Sequence, residues 1–172
     1  MRAAIVGLFL TSVAMAYGQS PTEHHCSMMR QDESKMKHDE MMKPGELAMG
    51  FSQAKTTHHF HLSASGGYIE VQTNDSTDAA SRDHVRHHLR EIAKSFGEGD
   101  FSSPMLTHGT VPPGVPDLQR LRSSLTFAYV ETDHGAKVLI STTNAEALKA
   151  VHDFLRFQIQ EHKTGDSEMV EK

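Results

Sequence analysis

The chain has 172 residues, enough for one domain with tails, and carries 17 Lys+Arg against 22 Asp+Glu for a formal net charge of −5. That balance argues against a nucleic-acid partner, and a single cysteine excludes an intramolecular disulfide framework and an all-cysteine zinc site. What stands out is 13 His and ten Met, with no Trp and only 6% aromatic residues, so the expected core is small and aliphatic.

Met1 and Arg2 give a short positive start, and residues 3–16 follow without a charge. Small residues at Ala14, Ala16 and Gly18 then sit at spacings a signal peptidase reads. Residues 1–18 are expected to be a secretory signal peptide, because the apolar run is too short for a comfortable membrane span. An uncleaved anchor or a buried helix is the competing reading. Cys26 lies too far beyond the run for a lipoprotein anchor. The expected location is periplasmic or secreted, with no stable membrane anchor after cleavage. Cleavage removes Arg2 and no acidic residue, and all 13 His remain. In an oxidising compartment a lone Cys26 invites an intermolecular disulfide or metal ligation.

Residues 19–48 are polar and biased in composition, with almost nothing to build a core. They are expected to form a flexible arm, with a nascent helix over about 32–43 ended by Pro44-Gly45. Within this arm lie His24, His25, Cys26, Met28, Met29, Met36, His38, Met41 and Met42. Thioether and thiolate sulfur select Cu(I), and imidazole suits Cu(II) and Zn(II) as well. Two Met-Met pairs and a His-His-Cys triplet are hard to explain as packing where there is no core to pack. The arm is therefore a candidate metal site, with copper or silver the favoured ion. A solvated low-complexity linker and a Met-lined helix that docks on a partner are the alternatives.

From residue 49 the texture changes. Residues 57–62 and 68–73 read as two strands joined by Ser65-Gly66-Gly67. Asn74-Asp75-Ser76 offers capping residues, and Val85, Leu89, Ile92 and Phe96 mark the stripe of a helix over about 77–96, stopped by Gly97 and Gly99. Residues 97–123 show little periodicity, with a stiff proline centre at 112–116 and one or two helical turns over 117–122. Strands over 125–130 and 137–141 follow, around Asp133-His134-Gly135. Thr143, Asn144 and Glu146 supply capping chemistry, with Thr143-x-x-Glu146 fitting a capping box, and Leu148, Val151, Leu155 and Ile159 mark a second helix to about residue 163. Val85-Arg86-His87-His88-Leu89 aligns with Val151-His152-Asp153-Phe154-Leu155. The reading is an α+β domain over 49–166: tandem ββα units forming one four-stranded antiparallel sheet with both helices on one face, followed by a disordered tail at 167–172.

The domain holds ten of the histidines. Alternation places His59 and His61 together, opposite Phe60 and Leu62, where two imidazoles on an open sheet face can chelate a metal. His58 points with the apolar side chains, a place where histidines are commonly hydrogen-bonded core residues. His84 and His88 stand four apart on one helix side, a second candidate pair. The segment HVRHH has no glutamate in the zincin pattern, so a hydrolytic zinc site is poorly supported. His108 sits before the proline run, and His152 and His162 lie in the second helix, His162 near an end where the helix dipole favours it. No nucleophile elbow, phosphate loop, dinucleotide fingerprint or haem attachment motif is present.

Residues 49–166 resemble a family of small exported, uncharacterised bacterial proteins. The resemblance rests on Met49-Gly50-Phe51, Lys55-Thr56-Thr57-His58-His59-Phe60, Ala80-Ser81-Arg82-Asp83, Pro112-Pro113-Gly114-Val115-Pro116, Phe154-Leu155-Arg156-Phe157-Gln158-Ile159 and Glu161-His162-Lys163-Thr164-Gly165-Asp166. Members are sometimes labelled aspartate carbamoyltransferase, but the Ser-Thr-Arg-Thr loop and His-Pro-x-x-Gln segment of that enzyme do not occur in this sequence. The resemblance implies export and no defined activity, and the ligand-rich arm lies outside it. The expectation is an exported metal-binding protein, a copper or silver buffer or carrier. The alternatives are a non-catalytic envelope domain with a protein partner, and an enzyme built on His58, His108, His152 and His162.

Overall fold

The structure, a computed structural model, describes residues 50–171. The expected signal peptide, the arm with its nascent helix, and the candidate ligands His24, His25, Cys26, Met28, Met29, Met36, His38, Met41 and Met42 lie outside the described residues, as does Lys172.

Two hairpins and two long helices form as the sequence patterns require. Strands β1 (Thr56–Ser63) and β2 (Gly66–Thr73) make the first hairpin, and helix α1 (Ala79–Glu98) follows. Short helices α2 (Ser102–His108) and α3 (Val115–Arg120) lead to strands β3 (Leu125–Thr132) and β4 (Gly135–Thr142) and to helix α4 (Ala145–His162). The four strands form one antiparallel sheet in the order β1-β2-β4-β3, so β2 and β4 are the central pair. The α+β expectation, with both long helices on one sheet face, is met.

The two units are related in a way that ties them together. Helix α1 packs chiefly on β3 and β4, whereas α4 packs chiefly on β1 and β2. Each helix thus covers the other unit's hairpin. Two equivalent hydrogen-bond sets fix this exchange. Arg86 on α1 donates to the carbonyls of Thr132 (2.6 Å) and Gly135 (3.1 Å), which flank the second hairpin's turn. His152 on α4 places Nε2 3.0 Å from Ser63 O and 3.1 Å from Gly66 O, which flank the first. Facing two carbonyls, that nitrogen must carry the proton. Gly66 and Gly135 also match. A Cβ at either would lie within about 2 Å of a neighbouring strand's carbonyl oxygen, Ile140 O for one and Val71 O for the other.

Several local expectations are corrected. Each hairpin turns tightly on two residues, 64–65 and 133–134, so Gly66 and Gly135 are strand residues and not turn residues. The cap of α1 is Asp78, whose carboxylate accepts the Ser81 N–H, and the helix starts later than expected. The cap of α4 is Asn144, whose Oδ1 accepts from Glu146 and Ala147, in place of the capping box begun at Thr143. The connector holds the expected turns near 117–122 as α3, which starts two residues earlier, and a further helix, α2, that was not expected. They are too short to show a period, but Phe101, Pro104 and Thr107, then Val115 and Leu118, bury one side of each. Helix α3 packs on α4, which is why the buried face of α4 is wider than a single stripe and includes Ala147, Ala150 and Phe154 while Leu148 is only half-buried.

The core is also more aromatic than composition suggested. Phe51, Phe60, Phe96, Phe101 and Phe154 are buried, and Phe127 packs against them. Phe96 stacks on Phe101 at 4.3 Å, and Phe154 meets both edge-on near 6 Å. The few aromatic residues are concentrated inward, where such pairs add about 0.5–1.5 kcal/mol beyond area burial.

The tail is not free at residues 167–171. Asp166 Oδ2 accepts the Phe60 N–H at 2.9 Å, the Glu171 N–H reaches Leu62 O at 2.9 Å, and Ser63 and Glu171 form a parallel bridge. An edge strand offers unpaired backbone groups, and the tail satisfies several of those on β1.

Candidate functional site

The core face of the sheet carries one polar break. β1 alternates, so His58 points inward with Phe60 and Leu62, as the pattern required, against Val71 on β2. His88 stands beside the buried stripe of α1, one turn beyond Val85. His108 ends α2, where Gly109 turns the chain left-handed at φ 63°. Gln158 and His162 lie one turn apart near the end of α4. These five side chains line one pocket of about 60 Å³, open on one side and walled by Ile69, Val71, Leu89, Ile92 and other apolar residues.

The rings are in mutual contact. His58 stacks on His162 at 5.1 Å and 15°, and His108 meets His162 edge-on at 5.1 Å. Phe51 packs beside them, stacked on His58 at 6.2 Å and edge-on to His88 at 5.5 Å. His108 Nε2 and Gln158 Oε1 are 2.9 Å apart. Burial, reinforced by His88 and then by His59, lowers the His58 pKa to about 4. Burial, with a smaller contribution from His87, also lowers that of His88 to about 4. Both imidazoles are neutral near pH 7, and a neutral imidazole offers one donor and one acceptor. No side chain lining the pocket carries a permanent charge.

This pocket gathers His58, His108 and His162, three of the four histidines of the enzyme reading. His152 is elsewhere, bound to the first hairpin's turn carbonyls. His88, which the spacing pairs with His84, is largely withdrawn into the pocket while His84 is exposed. Gln158, 3% exposed, joins them, and its only mark in the sequence is a polar residue between the core positions Leu155 and Ile159.

His59 and His61 lie on the opposite, open sheet face, with ring centroids 6.4 Å apart. Each holds Nδ1 against a carboxylate of the tail: His59 to Asp166 at 3.0 Å, His61 to Glu171 at 3.5 Å. Burial acts to raise the Asp166 pKa, but the Phe60 N–H, the Thr164 hydroxyl and His59 outweigh it and hold the carboxyl below its ordinary value. His61 also stacks on Tyr68 at 4.5 Å, and Lys137 lies over that ring at 4.7 Å while pairing with the buried Glu70 at 3.0 Å. Among the described residues no three His, Cys, Asp or Glu side chains are grouped so as to hold a metal ion. Nor is any helix there long and apolar enough to cross a membrane.

No family model matches this chain, and no curated protein or solved structure is significantly similar to it. The fold and its side chains are what bear on function.

Proposed function

We propose that this is an exported metal-binding protein, a copper or silver buffer or carrier whose arm captures the ion. The observation that carries the reading is the run of nine soft and borderline ligands from His24 to Met42 in a segment of otherwise polar sequence. The domain adds support at His59 and His61. A ligating histidine commonly gives its second ring nitrogen to a carboxylate, which orients the ring and raises its basicity. Both histidines have that partner on Nδ1, which leaves Nε2 as the nitrogen for an ion. Two imidazoles alone make a weak site, so the arm supplies the sulfur ligands and the greater part of the affinity.

The test is competition of Cu(I) and Cu(II) against chromophoric chelators, on the mature chain and two variants. In one variant His24, His25 and His38 are alanine, Cys26 is serine and the five arm methionines are leucine. The other is His59→Ala/His61→Ala. The arm variant is expected to lose Cu(I) stoichiometry and at least about tenfold in affinity, some 1.4 kcal/mol. The sheet-face variant is expected to lose Cu(II) binding more than Cu(I). Unchanged Cu(I) stoichiometry in the arm variant would sink the proposal.

A second reading, a non-catalytic envelope domain that binds a protein partner, has one observation in its favour. β3 pairs only with β4 among the described residues, so its other edge is available to a further strand. Pull-down from envelope extract with and without metal separates the two readings.

A further inference from the structure

We propose that the pocket formed by His58, His88, His108 and Gln158 binds a compact, uncharged molecule that both accepts and donates hydrogen bonds, in the class of small amides and azoles. The site is independent of metal capture by the arm. Its first support is Gln158. The side chain is 3% exposed, lines the pocket, and its Nε2 has no hydrogen-bond partner among the described residues. A buried amide donor left unmade costs about 1–3 kcal/mol, which a ligand acceptor recovers once a small turn of the side chain opens Nε2 to the pocket. The amide's other end is engaged, since Oε1 stands 2.9 Å from His108 Nε2.

The second support is the pair His58 and His88. Neither ring makes a hydrogen bond to another described residue, although both line the pocket. Neutral imidazoles present a donor and an acceptor each, which a ligand with only one kind of group would leave half used. The third is the lack of fixed charge in the lining. A carboxylate or an ammonium entering there would shed water without meeting a counter-ion, so an uncharged ligand is preferred.

Size narrows the class. The volume of about 60 Å³ is less than half of the ~150 Å³ cavity that holds benzene, which limits the buried part to a few heavy atoms. His58 and His162 also line an adjoining groove of about 240 Å³ with Gln53, Thr56, Thr57, Lys163 and Thr164, so the one fixed charge nearby lies in the groove and not in the pocket. That groove gives a way in and a polar place for a substituent.

The experiment titrates pyrazole and acetamide into the full chain at neutral pH and follows the His ring and Gln side-chain signals by 1H–15N correlation. Acetate and methylammonium are the charged controls. Saturable shifts at His58, His88 and the Gln158 amide are expected for the neutral probes, with at least about tenfold weaker response to the charged ones. Gln158→Leu removes the donor. Ser103→Leu, at a half-buried lining position, fills the mouth and keeps the test sound if the first variant folds poorly. Each is expected to weaken binding several-fold. The absence of saturable shifts for both neutral probes, binding of acetate as tight as that of acetamide, or unchanged affinity in Ser103→Leu would overturn the proposal.

Discussion

His58 and His88 give the fold a pH response between about pH 4 and 6.5. Both have folded pKa values near 4, against an ordinary 6.5. Between those values the unfolded chain binds more protons than the native one, so stability rises with pH across that window. The native state is at full strength above about pH 6.5 and weakens as acid protonates the unfolded imidazoles. Over the whole window the loss is on the order of a few kcal/mol for the pair, discounted because both rings keep some contact with solvent. Denaturant unfolding at a series of pH values should show this slope, and His58→Phe/His88→Phe should flatten it. An equal slope in the variant would assign the effect elsewhere. Gly114 is a residue-scale constraint of another kind. Its φ is +83°, and a Cβ there would lie 2.2 Å from Ala150 O. Gly114→Ala should cost more than about 2 kcal/mol, while Gly97→Ala, inside α1 with open space around it, should be neutral or stabilise by up to about 1 kcal/mol. Thermal midpoints of the two variants make the comparison directly.

Elements whose character is local were legible in the sequence, and elements whose character is tertiary were not. The first hairpin showed as period-two alternation, the second as two strand runs around a turn, and both long helices as an apolar stripe, because helices of about 20 residues repeat their period several times. Helix α2 has two turns or fewer, and its inward residues look like scattered hydrophobics until α4 and the sheet are beside it, whereas α3 showed only as a turn or two over 117–122. The tail is the clearest case. Nothing in a run as polar as Asp166-Ser167-Glu168 marks it as ordered, because its partners are the edge of β1, Arg156 and Gln160. Asp166 is its anchor, binding the Phe60 N–H and His59 at once. Asp166→Ala should therefore lower stability by about 1–3 kcal/mol and increase hydrogen exchange at the Phe60 amide, with little change at central β4. If Phe60 exchange is unchanged, the tail is not what protects that edge.

At the scale of the molecule, the pocket and the exchanged helices share an origin. The direction of His58 follows from alternation alone. Its meeting with His88, His108 and His162 depends on how three helices cross one sheet, which no spacing in the chain encodes. The exchange of helices is likewise absent from the pattern, although the alignment that sets Arg86 over His152 contained its trace. Those two residues, chemically unlike, secure opposite hairpins through the same pair of turn carbonyls. The arrangement makes a prediction about cooperativity. In either half of the domain taken alone, the hairpin would lack the helix that covers it, and a two-stranded hairpin is at best marginal in water. Fragments 49–110 and 111–172, prepared separately, should each lack a cooperative thermal transition by circular dichroism. Mixed in equal amounts, they should recover one, because each supplies the other's cover and the central β2–β4 pairing. Cooperative folding of a single fragment would mean that its helix can turn back onto its own hairpin, and that the exchange is one of two packings and not a requirement of the fold.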